Sequence, residues 1–329
     1  MFRILVKEGL PVVRNTFGNR HSDRTALKRA LRRILPAALL IMALSLPSAL
    51  SEKEFRPLPI DLSAGAPVDA VFARDVFVYE DPTIRAERIA PTHDPATMIQ
   101  YYAVDVQIKD ASQLRTASAD PESFTSIRRI PPENIARRMN AVFALNGDYC
   151  TDDSVENSKY VMRQGIIFRN TVDTKLDMLL IDEDGDLHIV QGGPELETMD
   201  KTHIDGKKVY NAFQFGPGLV IDGKPVDEEY ILDENHSPKY AEPAGGALRM
   251  CLVQVGPLHY KAIASRYHTN LKQLQELILS VAPDCRNAYV LDGGGSARLV
   301  FLGKAINTDG GDRPLSDIIY FASAWSDKE

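Results

Sequence analysis

Tyr289-Val-Leu-Asp-Gly-Gly-Gly-Ser-Ala-Arg298 carries an apolar run, Ala288 to Leu291, straight into a carboxylate, three glycines and a hydroxyl. A short apolar run that ends this abruptly reads as a buried strand delivering Asp292 to a tight turn. Glycine has no Cβ, so Gly293, Gly294 and Gly295 permit positive φ and close approach of a ligand to the main chain. Successive N–H groups in such a turn form a concave nest suited to an anion. Alone, the stretch reads first as a turn between strands. Its neighbours in the chain have to show more.

Upstream, Leu271, Leu274, Leu277, Ile278 and Val281 share one helical face; Thr269 or Asn270 is the cap, and Pro283 stops the helix. Downstream, Asp317 to Ala324 reads as a closing strand. Three hairpins precede the helix: 178–190 around an Asp-Gly turn, 219–226 around a second, and 247–255 with 260–265. Strands are expected at 71–78, 101–108 and 141–145, with a short helix at 132–140 that has proline in its first turn. Pro91-Thr-His-Asp-Pro95 reads as a loop. Many strands and few helices predict an α+β domain over residues 68–329, without internal repeats.

The 329 residues are 44% hydrophobic and 25% charged, which suits a globular protein with a real core. A net charge of −7 argues against a nucleic-acid surface. That average hides an asymmetry. Residues 1–33 hold nine Lys/Arg against Glu8 and Asp23, so the rest of the chain carries −14. Ile34 to Leu50 follows as seventeen residues without a charge, near the lower limit for a membrane-spanning helix. Basic residues before it and acidic ones after it place the body outside the membrane, anchored by 34–50 or secreted after cleavage near residue 51. The proline-rich stretch 51–67 reads as a linker. Cys150, Cys251 and Cys285 are too few for a disulfide framework and match no zinc spacing; a Cys251–Cys285 bridge is conceivable, buried single thiols more common.

Four stretches join a strand end to glycine or to a charge: Asn146-Gly-Asp-Tyr149, Phe215-Gly-Pro-Gly218, Arg249 in an apolar strand, and Asp292-Gly-Gly-Gly-Ser296. Arg313, after Asp309-Gly-Gly-Asp312, is a fifth candidate. Each has a bland explanation as a turn, a loop or an internal salt bridge. In this order they resemble the phosphodiester glycosidase family over roughly residues 100–325, with Leu291-Asp-Gly-Gly-Gly-Ser296 the most specific element. Departures are visible: Asp148 and Cys150 stand where that pattern has a second glycine and an aromatic residue, Met250 follows Arg249 in place of Thr, and Ala297 replaces a frequent Ser.

The resemblance implies hydrolysis of a sugar-1-phosphodiester with release of the sugar. Asp292 and Asp148 are then the candidate catalytic carboxylates. Asn146, Gly147, Arg249, Gly293, Gly294, Gly295, Ser296 and Arg313 are the candidate binding residues, the arginines for bidentate phosphate contact. The expected partner is a glycan or sugar-phosphodiester substrate, with a membrane engaged only through the N-terminal segment. No cofactor and no metal are expected; acidic residues such as Asp152-Asp153 read as a solvated loop rather than a Ca²⁺ site. A serine hydrolase is disfavoured because Arg298 stands where Gly-x-Ser-x-Gly needs its last glycine. A P-loop is excluded, since no Gly-Lys-Ser/Thr follows the glycines. The remaining alternative is a non-catalytic polysaccharide-binding or envelope-assembly module on the same fold.

Overall fold

Alternation with period two builds the walls of the core. In Met178–Asp182, Leu179 and Ile181 enter one apolar cluster and Met178 and Leu180 another. In Asp317–Ala322, Ile319 and Phe321 enter the first cluster, while Ile318 and Tyr320 enter a third. Successive strand side chains point to opposite faces, so both sheets are covered on both sides. The computed structural model describes residues 52–149, 159–238, 242–307 and 312–328. The basic segment 1–33, the apolar segment 34–50, Cys150, Asp152, Asp153 and Asp309 lie outside the described residues. Among the described residues no helix is long and apolar enough to cross a membrane.

Three antiparallel sheets share the main core. The largest has eight strands, ordered Lys224–Pro225, Gly218–Ile221, Asn287–Leu291, Met250–Gly256, His259–Ser265, Gln100–Ile108, Ile84–His93 and Val78–Glu80. The five-stranded sheet runs Lys304–Ala305, Leu299–Phe301, Ala141–Asn146, Asp317–Ala322 and Leu114–Ser118. The six-stranded sheet has Lys207–Gln214 at its centre, between Met178–Asp182 and Val161–Arg163. Leu252 from the first sheet, Phe321 from the second and Phe213 from the third belong to one buried cluster, so burial of apolar area holds the sheets together. The helix Leu271–Val281 adds Leu274, Leu277 and Ile278 to that cluster. Asn270 caps it in a capping box with Gln273. The helix Pro132–Arg138 covers the other face of the five-stranded sheet with Ile135 and Ala136. The fold is thus strand-rich with few helices.

Three local expectations change. The stretch 53–66 does not hang free: Lys53–Phe55 pairs with Trp325–Asp327, and buried Arg115 donates to the carbonyls of Pro59, Asp61 and Ser63. Proline removes donors but leaves carbonyls, and Arg115 gathers them. Instead of a strand over 71–78, the strand is Val78–Glu80, with a single bridge from Ala73 to Tyr79, and Val71 and Val76 stay exposed. Pro91 is not in a loop but in the strand Ile84–His93, where the register shifts between Ile89 and Thr92. A bulge is where a strand tolerates proline. Cys251 and Cys285 are buried free thiols whose pKa values burial pushes up, that of Cys285 to about 12.

Candidate active site

Two strand ends meet at the site. Ala141–Asn146 lies in the five-stranded sheet and Asn287–Leu291 in the eight-stranded one, so local sequence does not bring them together. Asn146 joins them: its Nδ2 donates to the Asp292 carbonyl at 2.7 Å and to Gly147 O at 3.1 Å, and its Oδ1 accepts from Arg298 N at 3.1 Å. Asp292 N returns a bond to Gly147 O at 3.2 Å. Asn146 is therefore a buried clamp between two sheets.

The glycines after Asp292 have separate reasons. A Cβ on Gly293 would lie 2.5 Å from Leu248 O, so the main chain there passes too close for a side chain. Gly294 sits at φ +54°, a left-handed conformation that other residues adopt at a cost. Two of the glycine amides are also spoken for, Gly293 N donating to Asp292 Oδ1 and Gly294 N to Leu248 O, and Ser296 N donates to Gly293 O. Gly295 lies beneath the Arg313 guanidinium, which a Cβ would approach to 3.3 Å.

Asp292 lines a cleft of about 800 Å³ together with Arg129, Tyr149, Phe215, Arg249 and Arg313. The residue is only 8% exposed, and burial raises the pKa of its carboxyl; a hydrogen bond from Ser296, the charges of Lys159 and Arg313, and the Gly293 N–H oppose that rise. Arg313 Nη1 donates to Ser296 Oγ at 3.3 Å, so Arg313, Ser296 and Asp292 form one connected set. Arg249 forms a wall of the cleft. Its guanidinium donates to the carbonyls of Thr269, Glu242 and Gly245 at 2.8–3.0 Å, and burial lowers its pKa to about 10, which leaves it cationic at neutral pH. Arg129 crosses to Tyr149, donating to its hydroxyl at 2.9 Å.

Asp148 points elsewhere. Fully buried, it accepts from Arg163 Nη2 at 2.6 Å and from Gln214 N at 3.1 Å, inside the contact between the five- and six-stranded sheets. Lys159 Nζ donates to the Asp148 carbonyl at 2.6 Å and faces the Phe215 ring. Asp317 approaches the same Arg163 at 3.7 Å. Gly147 packs on Asp317: a Cβ there would stand 1.9 Å from Asp317 Oδ2. Tyr149 and Phe215 belong to stretches that the sequence singles out, whereas Arg129, Lys159, Arg163 and Asp317 carry no signal strong enough, although Lys159 and Arg163 bracket a short apolar run and Asp317 opens another. Among the described residues no group of three or more His, Cys, Asp or Glu could hold a metal ion.

A buried carboxyl beside glycines at a strand end, faced by arginines across a cleft, defines the class of site. The family model for phosphodiester glycosidase matches residues 139–322, more than half of the sequence, and the chain belongs to that family. A prophage-derived uncharacterised protein of Bacillus subtilis, YomE, is 25% identical over 244 residues, 69% of this chain and 37% of that one, so the chain spans little more than a third of that relative. The catalytic domain of zebrafish N-acetylglucosamine-1-phosphodiester alpha-N-acetylglucosaminidase, auto-inhibited by its pro-peptide, superposes with a TM-score of 0.57 at 15% identity, covering 79% of this chain and 87% of that domain. At that identity the likeness is one of fold.

Proposed function

We propose that this cleft hydrolyses a sugar-1-phosphodiester at the glycosidic bond and releases the sugar from a surface or extracellular glycan. The observation that carries the reading is one cleft lined by Asp292 and by Arg129, Arg249 and Arg313, in a chain whose residues beyond 33 sum to −14. A cationic hollow in an acidic body draws an anionic substrate to one place. Arg313 and Ser296 hold the phosphate, Arg249 adds positive potential from the wall, and Asp292 works at the anomeric carbon. Phosphate is a good leaving group, so stabilising charge matters more than protonating the leaving oxygen. Tyr149, partly exposed in the cleft lining, offers its ring to the sugar. The apolar segment 34–50 after a basic leader supports placement of this domain outside the cytoplasm.

The test is release of free sugar from a defined sugar-1-phosphodiester by the full chain, beside Asp292→Asn. Turnover that disappears in the variant supports the reading. Tight binding of the diester without turnover in either protein favours the polysaccharide-binding alternative, and turnover unaffected by the change removes Asp292 from the mechanism.

A further inference from the structure

Lys159 is 1% exposed, so its ammonium lies inside the protein. Nζ is fixed by a 2.6 Å bond to the Asp148 carbonyl and stands 5.3 Å from the centre of the Phe215 ring. Both contacts belong to the site. Phe215 lines the cleft with Asp292, and Asp148 follows Gly147, whose carbonyl accepts from Asp292 N at 3.2 Å. The ammonium is therefore tied to the same strand end that clamps Asp292. Taking a charge out of water is costly, and lysine ordinarily keeps its head group in solvent while its stem packs. Held inside, the charge acts on its neighbours with little screening by water or salt.

We propose that Lys159 is a positioning residue for the reaction: its buried ammonium is the countercharge that keeps Asp292 ionised for work at the anomeric carbon. The inference rests on the hydrolytic reading of the cleft, with Asp292 acting as a carboxylate. Burial pushes the pKa of Asp292 up; against it act, in falling order, the Ser296 hydrogen bond, the charge of Lys159 and the charge of Arg313. Lys159 thus outweighs Arg313, which is exposed to water. The two cations also differ in what substrate does to them. A phosphate held by Arg313 cancels that charge at the moment Asp292 has to be ionised. Lys159, behind the Phe215 ring, is out of reach of substrate, so its charge persists. The other titratable groups around Asp292 are Arg129, Arg249 and Tyr149 in the cleft, and Asp317 in a smaller pocket that also touches Asp292. Asp317 feels Lys159 too, but burial and the Asp148 carboxylate hold its pKa up at about 6.

The experiment is the pH dependence of sugar release from a defined sugar-1-phosphodiester by the full chain, wild type beside Lys159→Met and Lys159→Arg. Asp292 has to be ionised, so kcat rises as pH passes its pKa, and loss of a nearby positive charge raises that pKa further. In Lys159→Met the rising limb should move up by about one pH unit with the plateau above it kept, so that rates at the foot of the limb fall about tenfold. Lys159→Arg, which keeps the charge, should bring the limb back. Asp317→Asn should leave a limb in place, which assigns it to Asp292. Should Lys159→Met fail to fold, salt decides. Between about 0.05 and about 0.5 M salt the wild-type limb should stay within about 0.2 pH unit, since a buried charge is screened little. A limb that stays put in Lys159→Met, vanishes in Asp317→Asn or climbs by about half a pH unit with salt overturns the role of Lys159 alone. A wild type that hydrolyses no sugar-1-phosphodiester overturns the hydrolytic reading and this role with it.

Discussion

The two strand ends that form the site start alike and finish differently. Each runs from buried apolar residues into glycine with a carboxylate close by: Asn146-Gly147-Asp148 on one, Asp292-Gly293 on the other. Asp148 becomes part of the core, held by Arg163 and the Gln214 amide. Asp292 faces the cleft among cations. The contrast comes from partners far away in sequence: Arg163 and Gln214 reach Asp148 from the six-stranded sheet. A carboxylate is a fastener or a reagent according to what surrounds it.

The largest effect that could break this comparison is on rate. Asp292→Asn should lower kcat for sugar release by about 10²–10⁴-fold, the usual worth of a positioned acid or base, with the melting temperature nearly unchanged. A variant that unfolds instead would make Asp292 a fastener too. Next in size is Arg163→Met, which strands Asp148 as an unpaired buried charge and should cost about 3–5 kcal/mol in denaturant unfolding. A loss under about 1 kcal/mol there would show that the ion pair does not hold the sheets. Asn146→Ala cuts the clamp between the two ends; with buried carbonyls left short of donors, about 1–3 kcal/mol of stability should be lost, and sugar release should fall as Asp292 loses its register. Retained activity with lost stability would separate the clamp from the chemistry. The smallest effect expected is that of Gly294→Ala, about 1 kcal/mol from its left-handed backbone, with kcat little changed because the Gly294 amide is bound to Leu248 O. A steep loss of activity would mean that the turn touches substrate through its main chain.

Much of this was legible in sequence. The helix capped by Asn270, the hairpins at 178–190 and 250–265, and the strand running into Asp292 all follow from local periodicity and turn chemistry. Less legible were the strand Ile84–His93, whose proline is absorbed by a bulge, and the docking of 53–66, which depends on Arg115. In the site, Asp292, Arg249, Ser296 and Arg313 stood out because charge or glycine at an apolar strand end is locally anomalous. Arg129, Lys159 and Asp317 did not: Lys159 and Asp317 border apolar runs, but without glycine beside them a charge there reads as an ordinary solvated strand end. The glycine triplet was legible as a turn, whereas the capture of the Gly293 and Gly294 amides by Asp292 and Leu248 O was not.

By itself, then, the sequence determined the strand-rich architecture and the turn that carries Asp292, since periodicity and glycine act over a few residues. Only the tertiary structure decided that Asp148 is buried against Arg163 while Asp292 opens to a cleft, and that the ammonium of Lys159 is buried close to both. Burial, ion pairing and shifted pKa values are set by groups a few ångströms away in space, and those groups come from other sheets.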